Sequence, residues 1–75
     1  MEERLRQIMA KVFEVPVTEI KDDSSAHTIA TWDSLRHLDM VLALEKEFGI
    51  KFHDEEVPTL INFKAIAATL NAYLE

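Results

Sequence analysis

The chain has 75 residues, 48% of them hydrophobic, with one Gly, two Pro and no Cys. That suffices for one folded domain with a thin core, offers too few turn formers for an all-β chain, and excludes a disulfide, a thiolate metal site and a cysteine nucleophile. The net charge of −6 disfavours nucleic acid and anionic membranes and favours a partner with a basic patch.

The N-terminal stretch MEERLRQIMAKVF is charged from its second residue and has no long apolar run. It reads as neither a signal peptide nor a membrane span, so a soluble cytoplasmic protein is expected. Leu5, Ile8, Met9, Val12 and Phe13 fall on one face of a helix, which the spacing predicts over 3–14. Val15-Pro16 is expected to stop it, because a residue before proline resists the α region.

Residues 16–33 show no sustained period. Asp22, Asp23, Ser24 and Ser25 make a polar turn cluster, and Val17, Ile20, Ile29 and Trp32 are spaced apolar anchors. A long ordered loop is expected, with room for a single helical turn. Loops of this length are uncommon in small domains and often functional.

Residues 34–48 form the strongest helix, rich in Leu, Met, Ala, Glu and Lys. Asp33 and Ser34 are both N-cap types, and Gly49 suits the position after the last turn. Met40, Val41, Ala43, Leu44 and Phe48 are expected in the core. Leu35, Leu38 and Leu42 fall on a second stripe. Ile50 and Phe52 should point inward from a short link. Asp54-Glu55-Glu56-Val57 should form a short turn capped by His53 or Asp54 and distorted by Pro58. Asn62 is the candidate cap of a last helix over 63–74, whose buried face is Phe63, Ile66, Ala67, Leu70, Tyr73 and Leu74. The sum is an all-α bundle occupying 1–75 as one domain, with three clear helices, a short one before the last and a long loop after the first.

Asp33-Ser34-Leu35 sits where loop meets helix. Unsatisfied N–H groups and the positive end of the helix dipole converge there, so a phosphate on Ser34 would be stabilised. The competing reading makes Ser34 only a helix cap, in which case Ser34→Ala costs roughly 1 kcal/mol and no chemistry. His27, His37 and His53 have no ligand spacing with one another, so no metal site is expected. Trp32 and Tyr73 read as packing residues.

Asp33-Ser34-Leu35, followed by Leu38-Asp39-Met40-Val41 and Ala43 through Phe48, resembles the acyl carrier protein family. Ile50-Lys51-Phe52, Asp54-Glu55-Glu56 and Asn62 through Leu74 extend the likeness over essentially the whole chain. The resemblance implies a four-helix bundle of acyl-carrier type with a short third helix. It implies that Ser34 receives 4′-phosphopantetheine from coenzyme A and carries acyl groups as thioesters, with no catalysis by the carrier itself. It further implies a docking patch at Leu35, Leu38 and Leu42, and acidic contacts at Asp33, Asp39, Glu45, Glu55 and Glu56. The core would line a space where a fatty chain can shelter. The implied partners are a phosphopantetheinyl transferase and acyl-loading and acyl-processing enzymes with basic patches, meeting a monomeric carrier. Arg36, His37, Lys46 and Trp32 depart from the fatty-acid type and suggest a specialised lipid or polyketide-like pathway. An aminoacyl or peptidyl carrier and an unmodified acidic adaptor for a basic partner are the alternatives.

Overall fold

A computed structural model describes all residues 1–75. Its elements follow from caps as much as from hydrophobic spacing. Helix α1 spans Glu2–Phe13, α2 spans Ser34–Phe48 and α3 spans Phe63–Leu74. Two 3-10 turns join them, Val17–Glu19 in the long loop and Asp54–Thr59 between α2 and α3. There is no strand, only an isolated bridge between Ser25 and Asn62. The architecture is thus all-α with three long helices and two short 3-10 segments, and the expected short third helix is 3-10 rather than α.

Helix α1 does not wait for Pro16 to stop. It ends at Glu14, which adopts a left-handed conformation with φ of 57°. For a residue with a Cβ this costs about 1 kcal/mol. Three contacts offset the cost by satisfying the last carbonyls. The amides of Glu14 and Val15 both bond Ala10 O. The Arg36 guanidinium donates to Val12 O at 2.9 Å and reaches the Glu14 carboxylate at 3.0 Å. The Thr31 hydroxyl donates to Phe13 O. Arg36 therefore closes the end of α1 from the adjacent helix.

Helix α2 opens on Asp33, whose carboxylate accepts the Arg36 amide at 2.8 Å. It closes on Gly49, left-handed at φ 65°, the conformation glycine adopts without penalty. Helix α3 opens on Asn62, whose side-chain oxygen accepts the Ala65 amide at 2.7 Å. Asn62→Ala should lower stability by about 1 kcal/mol, read as a lower urea midpoint at unchanged slope. An unchanged midpoint would show that the neighbouring bridge to Ser25 suffices to hold the helix start.

Fifteen buried side chains form one core cluster, with Leu5, Met9 and Phe13 from α1, Met40, Val41 and Leu44 from α2, and Phe63, Ile66, Ala67 and Leu70 from α3. The loops contribute Ile20, Ile29, Trp32, Phe52 and Leu60. Val17, expected as an anchor, is 39% exposed, and Leu74, expected on the buried face of α3, is 45% exposed. Val17 lies in the 3-10 turn, which buries none of its residues. Leu74 lies one turn past Leu70, the last residue of α3 buried in the core. Ala43, Phe48, Ile50 and Tyr73 are half-buried at the rim.

The long loop is fixed by polar contacts. Ser24 is 2% exposed. Its hydroxyl accepts the Lys21 amide at 2.7 Å and donates to Glu19 O at 3.3 Å. Its carbonyl accepts the Phe63 amide at 2.9 Å. Arg6 adds a bond to Asp22 at 2.6 Å and lies 4.5 Å over the Phe63 ring. The polar turn read at Asp22 through Ser25 is thus the joint between loop and α3, and it fixes the loop that delivers Trp32, Asp33 and Ser34.

Candidate functional site

Ser34 is the first residue of α2 and is solvent-exposed. The cap oxygen comes from Asp33, so Ser34 is not the cap. Its hydroxyl is left free at the positive end of a 15-residue helix. A phosphoester there would meet the helix dipole and the first backbone N–H groups.

An open groove of about 1000 Å³ begins at this serine. It is lined by Trp32, His37 and Leu38 at the start of α2 and by Val57, Pro58 and Ile61 before α3. Of the core cluster it reaches only Trp32 and Leu60. The expected shelter lined by the core is thus not this groove. Leu5, Met9, Met40, Leu44, Ile66 and Leu70 are fully buried, and the hollow lies outside them, on the surface beside Ser34.

Leu35, Leu38 and Leu42 are 71%, 52% and 64% exposed. Their spacing and that of Asp39 place all four on one stripe of α2 running away from Ser34. Ile61, 62% exposed, extends the apolar surface across the groove. Sequence spacing did not single it out, because Ile61 belongs to no helical pattern.

The acidic positions divide into two groups. Asp39 and Glu55 are exposed and available to a partner. Asp33 is exposed but already caps α2. Glu45 is half-buried, and its carboxylate accepts the Phe52 amide at 2.8 Å. Glu56 is half-buried, accepting the His53 amide at 2.9 Å and the Tyr73 hydroxyl. These last two acids hold the link and the 54–59 turn in place.

The Tyr73 hydrogen bond, aided by the His53 amide, holds the Glu56 carboxyl below its usual value, and the same Glu56 bond pushes the Tyr73 phenol up. The depressed carboxyl contributes stability that is present above the ordinary carboxylate range and lost as pH falls through its lowered value. The raised phenol contributes stability that is present below the ordinary phenol range and lost as pH rises through its raised value. Tyr73→Phe should therefore be least stable relative to the wild type on the plateau between those ranges. The gap should narrow in acid and again in strong alkali. Urea unfolding across pH checks this, and a gap constant into acid would rule out the coupling.

Sequence reasoning missed the roles of Arg36 and His37. Arg36 caps α1, as described. His37 bonds both Trp32 and Val57. Neither tie has a signal in local spacing, because each crosses between elements.

A family described as "Phosphopantetheine attachment site" matches the chain over residues 3–70. Polyketide-8 synthase acyl carrier protein 2 of Streptomyces avermitilis is 29% identical over 72 residues, which cover 96% of this chain and 83% of that protein.

Proposed function

The chain belongs to the phosphopantetheine-attachment family of carrier proteins, and on that premise we propose that Ser34 is the residue that carries the prosthetic group. The observation that supports this is a free, exposed hydroxyl on the first residue of α2, with its neighbour Asp33 supplying the cap. The residues fit the group. Ser34 Oγ can form the phosphodiester, the amino end of α2 favours its negative charge, and the groove gives an extended arm apolar walls to lie against. Once attached, the group supplies a thiol that holds acyl cargo as a thioester.

The chain itself positions and presents. Fixing the cargo to Ser34 raises its local concentration at whichever active site is docked. Leu35, Leu38 and Leu42 provide apolar contact, each able to add roughly 1–2 kcal/mol if a partner covers it. Asp33, Asp39 and Glu55 face outward to basic patches on a phosphopantetheinyl transferase and on acyl-loading and acyl-processing enzymes. Glu45 and Glu56 contribute field rather than direct contact, being bonded internally. Small apolar area with steering charge gives brief encounters, which a carrier visiting several enzymes needs. We place the chain as one non-catalytic, monomeric, cytoplasmic domain over 1–75. We assign its cargo to a polyketide-like or specialised lipid pathway, on the likeness to the Streptomyces carrier.

The test is direct. The purified apo chain is incubated with coenzyme A and a broad-specificity phosphopantetheinyl transferase, and its intact mass is measured. A single phosphopantetheinyl increment mapping to the Ser34 peptide is expected. No increment, in a reaction where another carrier is modified, would overturn the assignment.

A further inference from the structure

Beside Ser34, the indole Nε1–H of Trp32 donates to Nδ1 of His37 at 3.0 Å. The other ring nitrogen, Nε2, lies 2.9 Å from the carbonyl oxygen of Val57. The ring centroids are 6.1 Å apart and their planes differ by 18°, as two rings bonded edge to edge require. The partners fix the proton. An indole nitrogen only donates and a carbonyl oxygen only accepts. Nδ1 must therefore carry a lone pair, and Nε2 the hydrogen. The ring is neutral in this arrangement, and it joins the residue ahead of the α2 cap to the 54–59 turn.

A second proton can go only to Nδ1. There it removes the acceptor and sets two N–H groups against each other. Packing decides which side yields. Trp32 is 7% exposed and stacks on Phe13 at 4.7 Å. The 54–59 turn has no buried residue. It is tied to His37 on one side and to Tyr73 through Glu56 on the other, with only half-buried Val57 packed against the core before buried Leu60 follows. The indole stays, the imidazole leaves it, and the turn shifts with the ring. Val57 and Pro58 of that turn wall the groove that begins at Ser34.

We propose that His37 is a proton-operated latch on this groove. The neutral ring ties Trp32 to the 54–59 turn, and protonation breaks the tie at Trp32, so that ring and turn, still joined through Nε2–H and Val57 O, move off together and widen the groove. His37 is thus a positioning residue for whatever Ser34 carries. That bearing on cargo rests on the Ser34 assignment, but the latch is read on unmodified protein, so either can fail alone. The loop presents Asp22, Asp23, His27 and Asp33 to the same groove, and α3 presents Lys64. On α2, Arg36 is turned away to Val12 and Glu14. On the turn, Glu56 is held by Tyr73 and by His53. His27 and His53 are the other two imidazoles of the chain, so both need control variants.

Trp32 is the only tryptophan, so its emission reports the latch without labelling. Emission, the imidazole 15N shifts and the backbone amide shifts of residues 57, 59 and 60 are followed from about pH 8 to pH 5, the range in which imidazoles titrate. The His37 ring is expected to start with its hydrogen on Nε2. Emission and the amides should then change with the same midpoint as the ring. His27→Gln and His53→Gln should keep the transition, and His37→Gln should lose it. A His37 ring carrying its hydrogen on Nδ1 at the alkaline end overturns the latch. So do amides that stay still while His37 titrates, and an emission change that survives in His37→Gln. Should His37→Gln fail to fold, the wild-type ring and amide titrations decide by themselves.

Discussion

Ser34→Ala should abolish attachment of phosphopantetheine and leave the fold as stable as before. The two halves of this expectation have separate physical grounds. Ser34 is the first residue of α2, and its hydroxyl does not cap the helix, since Asp33 bonds the Arg36 amide. Alanine is the better helix former, and the residue is exposed, so stability should move by less than about 0.5 kcal/mol. Chemistry is lost outright, because no phosphoester forms without the oxygen. Asp33→Ala supplies the contrast: it removes the cap and should cost about 1 kcal/mol. Intact mass after transferase treatment and urea midpoints for both variants make the comparison. An increment that persists in Ser34→Ala would place the prosthetic group elsewhere. A destabilisation of Ser34→Ala equal to that of Asp33→Ala would return the serine to a capping role. An unmodified adaptor, by comparison, would bind its partner equally well with either residue at position 34.

What was legible in the sequence was what local spacing and capping chemistry determine. Asn62 and Gly49 mark helix ends because each supplies an oxygen or a left-handed backbone at little cost. The second stripe of α2 was legible too, since a helix cannot bury both Met40–Val41–Leu44 and Leu35–Leu38–Leu42 against the same neighbours. What escaped was every tie between distant elements. Arg36 reads as a departure from an acidic position until it is seen closing α1, 24 residues earlier in the chain. Glu45 and Glu56 read as docking acids. Their carboxylates also accept the Phe52 and His53 amides, ties that helix-surface spacing does not show. The left-handed Glu14 was hidden for a similar reason. Only the arriving Arg36 and Thr31 make that strained stop worthwhile.

Phe13→Ala should be the most damaging single change, and it acts on the site from the far side of the core. Phe13 is fully buried at the end of α1 and stacks on Trp32 with centroids 4.7 Å apart. Truncating a buried phenylalanine costs about 3–5 kcal/mol. A chain of this size has a total stability of roughly 4–11 kcal/mol, at 0.05–0.15 kcal/mol per residue. The loss therefore consumes a large part of what holds the molecule together, and at about 4–8 °C per kcal/mol the melting temperature should fall by tens of degrees. The site should respond before the fold is gone. Removing the ring takes away the face that fixes Trp32, and Trp32 in turn fixes His37 and the groove wall at Val57. Emission of the lone tryptophan should shift to the red in the folded variant at low temperature. Phe13→Leu keeps most of the volume and should cost under about 1.5 kcal/mol, with a smaller emission shift. If Phe13→Ala instead melts within a few degrees of the wild type with unshifted emission, the ring is not the support of Trp32. The groove beside Ser34 would then be held by His37 and the loop bonds alone.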